Sequence, residues 1–294
     1  MRIVSLLPSS TEILFDIGAG DDVVGVTFEC DHPAEARSRT IVSTSAMPEG
    51  LRPADIDAFV AAAMRRGEDL YHLDENALAA LDADLVVTQD LCAVCAVDVS
   101  VVDDALAHLG CTAEVLTIDP HTLDEVLESI GTLGKATGTE PAADALARSL
   151  RERLDGVARR TAGLTRPRTL VLEWTDPPFA PGHWVPDMVD RAGGQCVLGV
   201  AGKKSFRVTW DDVAAARSDV VVCAPCGYGL AESAALARDV VHADVLRADV
   251  AVWAVDANAS FARPGPRLVD GVEALAGIIH GDAAFASPIA ERIR

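Results

Sequence analysis

The chain has 294 residues, half of them apolar, with 25 Lys and Arg against 45 Asp and Glu for a formal net charge of −20. That apolar content fills one large core or two smaller ones and excludes a disordered chain. A charge this negative repels phosphates and anionic lipid heads, so no nucleic acid is expected as a partner, and with no run near 18 apolar residues no membrane insertion is expected either.

The opening Met1–Pro8 carries one basic residue and a short apolar run that Pro8 ends. No signal peptide or lipobox is legible there, which predicts a cytoplasmic protein with reduced thiols. The seven cysteines are therefore read as core residues, metal ligands or nucleophiles before disulfides. Strand-like runs then alternate with helical stretches. Arg2–Leu6 leads through Pro8-Ser9-Ser10-Thr11 to a helix over Glu12–Ile17, and Val23–Val26, Asp84–Thr88 and Ala113–Thr117 are further strands. The second half repeats the pattern at Arg168–Glu173, Val197–Val200, Val220–Cys223 and Val250–Val255. Such continuous apolar runs suit parallel strands buried on both faces.

Two stretches match across the halves. Gly20–Val26 aligns with Gly194–Val200 in a Gly-x-x-Val-x-Gly-Val pattern, and Ala79–Val87 aligns with Ala214–Val222. Duplication predicts two similar α/β lobes. Between them Leu123–Lys135 reads as helix, Thr137–Pro141 breaks it, and a second helix runs from about Pro141 to Ala162, with Thr139 as its cap. Leu146, Leu150, Leu154 and Val157 recur at helical spacing along it. The fold class is thus α/β, with two Rossmann-like lobes and central parallel sheets joined by one long backbone helix. The boundaries are 1–122 for the first lobe, 123–163 for the helical segment and 164–294 for the second lobe.

In parallel α/β sheets, ligands meet the loops beyond the carboxyl ends of the strands. Those loops are Pro8–Thr11, Phe28–Pro33, Gln89–Cys95, Trp174–Trp184, Ala224–Tyr228 and Ala257–Arg267.

Ile3-Val4-Ser5-Leu6-Leu7-Pro8-Ser9-Ser10-Thr11-Glu12, then Gly18-Ala19-Gly20, then Val24-Gly25-Val26-Thr27 with Asp31-His32-Pro33, resembles the opening of the helical-backbone (class III) substrate-binding proteins. That family serves ABC importers of vitamin B12, haem and iron-siderophores, and the likeness is closest to the B12-binding branch. The resemblance implies two Rossmann-like lobes bridged by one long helix, with the ligand cleft between the lobes. It also implies a small-molecule or metal-chelate ligand, a corrinoid foremost. Two departures weigh against docking to an ABC permease: no export signal is legible, and no pair of docking glutamates can be placed.

Thiols mark the same loops. Cys30 lies in Glu29-Cys30-Asp31-His32, Cys92 and Cys95 form one Cys-x-x-Cys, and Cys223 and Cys226 another. Soft thiolates at this spacing suit zinc or an iron–sulfur cluster, which points to Cys30, Cys92, Cys95 and Cys226 as metal ligands. Small apolar filling is the plainer account of the same residues. Cys223 aligns with Thr88 and belongs to the strand, and Cys111 and Cys196 read as core. The Cys223/Cys226 spacing also fits a redox dithiol, but no helix start or cation stands close by to lower a thiol pKa.

Glu173–Trp184 packs two Trp, a Phe, two carboxylates, a His and three Pro into twelve residues, in a chain that is 4% aromatic. Trp174, Phe179 and Trp184 are read as a ligand face, unless the loop tucks them onto the core. His183 or His32 would supply an axial nitrogen to a bound metal or corrinoid cobalt, or serve as an ordinary hydrogen-bonding residue. Arg263 and Arg267, stiffened by prolines, suit an anionic group on the ligand, with pairing to Asp256 as the competing role. Ser9, Ser10 and Thr11 could hold an anion or cap the helix. The chain lacks a phosphate-binding Gly-rich loop, a His-Glu-x-x-His and a Gly-x-Ser-x-Gly elbow. Two expectations result. The first is a ligand-binding protein holding a corrinoid or other chelated metal. The alternative is a metalloenzyme on the same fold, with a Cys-ligated zinc or iron–sulfur site and Glu173, Asp176 or His183 as acid or base.

Overall fold

The computed structural model describes residues 1–89 and 113–294. The chain divides into two compact units, Met1–Pro120 with Leu127–Ala147, and His121–Val126 with Arg148–Arg294.

In the first unit β1 (Ile3–Ser5), β2 (Val23–Val26), β3 (Thr40–Ile41), β6 (Leu85–Thr88) and β7 (Glu114–Thr117) form a sheet in the order β3-β2-β1-β6-β7. Every neighbouring pair is parallel. A separate antiparallel pair joins β4 (Ser43–Ser45) to β5 (Tyr71–Leu73). The core gathers Val4, Leu6, Val42, Leu78 and Val86. In the second unit β8 (Arg168–Leu172), β11 (Gln195–Cys196), β13 (Val220–Cys223) and β14 (Ala251–Val255) are parallel, and antiparallel β15 (Ala290–Arg292) closes one edge. Its order is β11-β8-β13-β14-β15, around Leu170, Leu172, Val221 and Val252. A small antiparallel sheet of β9 (Trp174–Thr175), β10 (Pro178–Ala180) and β12 (Phe206–Arg207) accompanies it.

The order β2-β1-β6-β7 recurs as β11-β8-β13-β14, so the two units share a four-strand parallel core. The match of Ala79–Val87 with Ala214–Val222 puts β6 and β13 in the same place, beside β1 and β8. The other match does not hold as strand. Val23–Val26 is β2, but Val197–Val200 is irregular and the strand there is Gln195–Cys196. Leu198 adopts a left-handed φ of 65°, which no strand accommodates.

Local chemistry sets the helix boundaries. α1 (Pro8–Asp16) starts four residues before the predicted Glu12, because Pro8 occupies its first turn where a missing N–H is harmless. α2 (Pro53–Arg66) also opens on proline and ends at Gly67 with φ 66°. Asp74 caps α3 (Glu75–Ala80) by accepting the Ala77 N–H. α4 (Leu123–Thr137) and α5 (Glu140–Thr161) are separated at Gly138, φ 70°. The buried stripe of α5 is Ala143, Ala147, Leu150, Leu154 and Val157; Leu146 lies beside it, half-buried. The second unit adds α6 (Val185–Arg191), α7 (Trp210–Ala215), α8 (Leu230–His242), α9 (Ala257–Ser260) and α10 (Leu268–His280). Arg153 of α5 clasps Asp270 at 2.5 Å and Glu273 at 2.7 Å on α10. No helix among the described residues is long and apolar enough to cross a membrane.

Candidate functional site

Parallel strands bring their carboxyl ends to one edge of each sheet. In the first unit that edge carries Pro8–Thr11 after β1, Phe28–Pro33 after β2 and Gln89 after β6. Ser9, Ser10 and Thr11 sit inside the first turn of α1 and are buried, and the cap position is Leu7, which has no side-chain cap. Capping is therefore not what these hydroxyls do. Thr11 Oγ1 lies 2.9 Å from Ser5 Oγ, 3.1 Å from the Leu7 carbonyl and 3.0 Å from Cys30 Sγ, while Ser10 Oγ has no partner. Cys30 is thus brought to the Ser9–Thr11 turn, buried against a threonine. His32 is exposed, ahead of a cis Pro33. The Tyr71 hydroxyl donates to Glu29 at 3.3 Å, and its ring stands 5.9 Å from that of Phe28.

Of the four thiols expected to ligate a metal, Cys92 and Cys95 lie outside the described residues, Cys30 is buried in the first unit, and Cys226 is exposed in the second. Among the described residues no group of three His, Cys, Asp or Glu side chains is placed to hold a metal ion. Cys223 ends β13 with no exposure, and burial pushes its thiol pKa up to about 12. Burial does the same to half-buried Cys196, also to about 12.

The second unit concentrates the rest. Where a loop was expected after β8, the chain turns into the hairpin β9–β10, and β12 adds to its far side. The register sets Trp174 opposite Phe179 and Phe179 opposite Arg207. Directly opposed residues of antiparallel strands project to the same face, so these three form one row. The alternate positions Thr175, Pro178 and Ala180 are buried. Within the β9–β10 hairpin small residues thus face inward, while Trp174 and Phe179, both half-buried, and exposed Arg207 face outward; Phe206, opposite Ala180, is on the side of the small residues yet exposed. A sheet covering a core places its large apolar residues the other way round. The Trp174 indole N–H donates to the Asp176 carbonyl at 3.1 Å across the turn, and Tyr228, after β13, stands 5.7 Å from the Trp174 ring. At the other end the Arg207 guanidinium lies 5.8 Å from the centroid of Phe179. The Cys226 N–H donates to the Glu173 carbonyl, and the Asn258 N–H to the Tyr228 carbonyl. Backbone bonds therefore tie together the segments after β8, β13 and β14.

Behind this row lies Glu173. The residue keeps some surface, but its carboxyl is enclosed, and desolvation raises its pKa to about 7 against the opposing effect of hydrogen bonds from Gly182 N–H, at 2.9 Å, and Ser205. His183 has a left-handed φ of 46°, and its N–H donates to the Lys203 carbonyl at 2.6 Å. Burial first, then His121 and Lys204, lowers its pKa, and its enclosed Nε2 has no partner. The His121 ring is 6.2 Å away. Trp184 is buried, with its indole N–H donated to the Phe261 carbonyl at 2.7 Å. It supports the segment and presents no face. Arg263 is buried and Arg267 half-buried, flanking the turn into α10. The Asp256 carboxylate accepts the Ala259 N–H and caps α9. Asp176 is exposed at the hairpin turn.

Sequence reasoning missed Arg207, Tyr228, Ser205 and His121. One signal was available: Lys203-Lys204-Ser205-Phe206-Arg207 holds three cations in five residues of a chain with net charge −20.

Residues 3–251 match a protein family described as periplasmic binding protein. The chain belongs to that family. A curated relative, the uncharacterized ABC transporter substrate-binding lipoprotein YvrC of Bacillus subtilis, is 29% identical over 166 residues, 56% of this chain and 43% of the relative. The match thus spans less than half of that relative's length. Among solved structures, the periplasmic vitamin B12 binding protein BtuF of Vibrio cholerae superposes with a TM-score of 0.65 at 20% identity, covering 95% of this chain and 96% of that one. A periplasmic heme binding protein from Pseudomonas aeruginosa gives 0.73 at 19% identity, covering 99% and 97%. An ABC-type Fe3+-hydroxamate transport protein from Saccharomonospora viridis gives 0.64 at 22%, covering 96% and 93%. These likenesses establish the shared fold: this periplasmic binding protein family member has two α/β units with parallel central sheets, as its opening motif implied.

Proposed function

We propose that this chain is a substrate-binding protein whose ligand is a chelated metal with a flat face, a corrinoid or related macrocycle, presented to an ABC importer. The observation that carries this reading is the inverted hairpin: Trp174 and Phe179 face outward while Thr175, Pro178 and Ala180 fill the inward positions. Half-exposed aromatic rings held on a paired backbone, with a third ring, Tyr228, against them, suit contact with a planar ligand. Vitamin B12 and heme, for which two structural neighbours are named, are of that kind.

The test is an absorbance titration of the purified protein with cyanocobalamin, hemin and a ferric hydroxamate. At least one should bind. Trp174→Ala and Phe179→Ala should each weaken it by about tenfold, the loss of one aromatic contact of about 1.5 kcal/mol, with thermal stability little changed. Absence of binding by all three, or affinity untouched in both variants, would overturn the reading.

A further inference from the structure

Independently of the aromatic row, we infer that the opposite edge of the second unit's main sheet carries a separate binding site, for a small carboxylate with a short branched apolar tail. β8, β13 and β14 begin at that edge and antiparallel β15 ends there. Four arginines gather on it, Arg168, Arg217, Arg247 and Arg294, in a chain of net charge −20. Three of them are engaged. Arg168 donates to the Ala216 carbonyl at 2.8 Å, Arg247 pairs with Asp249 at 3.1 Å, and Arg294 donates to the Arg247 carbonyl at 2.8 Å. The Arg217 side chain is exposed, and among the described residues it has no hydrogen bond or ion pair. Beside it, between α7 and the turn into β14, lies a shallow cleft of about 230 Å³, its open mouth included. Val213, Val221, Leu246 and Val250 give it an apolar lining, which Arg217, Ser218 and Arg247 complete. Pockets for drug-sized ligands start at about 300 Å³, so the occupant here is small. The Ser218 hydroxyl is enclosed and has no partner, an arrangement that destabilises a fold unless something satisfies it.

The first unit shows what the fold itself asks of this turn. The match of Ala79–Val87 with Ala214–Val222 sets Asp82-Ala83-Asp84 against Arg217-Ser218-Asp219. Both turns pass through a left-handed residue, Asp82 at φ 44° and Arg217 at φ 48°. In each, an aspartate accepts the backbone N–H of an arginine at the start of the neighbouring strand, Asp84 from Arg2 at 2.7 Å and Asp219 from Arg168 at 2.8 Å. The side chain of that arginine then donates to the carbonyl at the end of the preceding helix, Leu81 or Ala216. Ala83 is buried as Ser218 is. Aspartate and alanine therefore satisfy the same frame, and the guanidinium and hydroxyl of the second unit are surplus to it. Together they offer what a carboxylate needs, a charged planar donor able to make two parallel N–H···O bonds and a hydroxyl donor, next to apolar surface for a tail.

The experiment titrates the full chain with isovalerate, isovaleramide and inorganic phosphate, followed by ligand-observed NMR. Isovaleramide keeps the tail and removes the charge, while phosphate keeps a charge and removes the tail. The parent should bind isovalerate about tenfold more tightly than isovaleramide, the low end for a hydrogen bond to a charged group, and more tightly than phosphate. Arg217→Gln should erase the advantage over the amide. Ser218→Ala should weaken isovalerate by about fivefold, the loss of one neutral hydrogen bond, without lowering the melting temperature. The double variant Arg217→Asp/Ser218→Ala, which uses the first unit's own residues for the turn, should fold as the parent does and lose isovalerate binding. No binding of isovalerate by the parent, equal binding of acid and amide, or affinity unchanged in Arg217→Gln and the double variant would overturn the site. Tighter binding of phosphate than of isovalerate would overturn the apolar tail. A lower melting temperature in Ser218→Ala with isovalerate affinity intact would assign the hydroxyl to a buried water and overturn its part in recognition. The chelate titration reads the aromatic row separately, so either reading can fail without the other.

Discussion

Replacing Glu173 by glutamine should make the protein more stable, and only above a defined pH. The carboxyl is enclosed at the end of β8, and desolvation raises its pKa from an ordinary 4.5 to about 7. Below 4.5 it is protonated whether the chain is folded or unfolded, and nothing is lost. Between 4.5 and 7 the unfolded chain releases the proton while the folded chain keeps it, so stability falls as pH rises. Above 7 both forms are ionised and the loss levels off. A difference of roughly 2.5 pKa units at 1.36 kcal/mol each puts the plateau at about 3 kcal/mol. Glutamine cannot ionise, and its amide oxygen can still accept the Gly182 N–H now held at 2.9 Å. Urea denaturation of parent and Glu173→Gln, followed by tryptophan emission from pH 4 to 9, should show curves that coincide at the acid end. They should diverge through neutrality and run parallel above it. A difference that stays flat across this range, or a parent that gains on the variant as pH rises, would refute the enclosed-carboxyl account.

Other expectations rest on separate contacts. Gly182→Ala should lower the melting temperature by several degrees, because its Cβ would meet backbone atoms of Ser205 and Lys203 at 2.2 and 2.5 Å and overpacking costs about 1–3 kcal/mol; an unchanged melting curve would rule out that approach. Trp184→Phe removes the indole donor from the Phe261 carbonyl and should cost about 1–3 kcal/mol in denaturant without altering chelate affinity, whereas a shift in affinity alone would return Trp184 to the ligand face. Ser10→Ala should raise stability by about 1 kcal/mol, since it deletes a buried hydroxyl that has no partner; destabilisation would reveal one. Among the described thiols, a disulfide reagent should modify exposed Cys226 rapidly, and Cys30 and Cys223 only on unfolding. Cys226→Ser should therefore remove one fast equivalent by spectrophotometric titration.

The fold was legible because its signals are long and repeated. Continuous Val and Leu runs marked strands buried on both sides, and the Ala79–Val87 match with Ala214–Val222 fell on equivalent strands. Glycine and proline punctuation placed α4 and α5 within a residue or two. Short-range reading failed where one backbone angle decides the outcome, as at Leu198, and where proline starts a helix earlier than the apolar period does, as at Pro8. The site was legible as composition and not as geometry. Glu173–Trp184 stood out for its aromatics, yet nothing in the order of residues says that Trp174 faces out and Trp184 in. That difference arises from the pairing of β9 with β10, and from a Phe261 carbonyl 77 residues along the chain. Arg207 was invisible for the same reason: it lies 28 positions beyond its partner Phe179, with α6 and β11 in between, and only the fold brings β12 back to β10.

The division of labour within the hairpin bears on how such a protein changes its ligand. Thr175, Pro178 and Ala180 anchor it from within, so positions 174, 179 and 207 can be exchanged without disturbing what lies beneath. A library varied at those three outward positions explores recognition at little cost in folding, and it offers a compact starting point for a fluorescent sensor in which Trp174 itself reports occupancy.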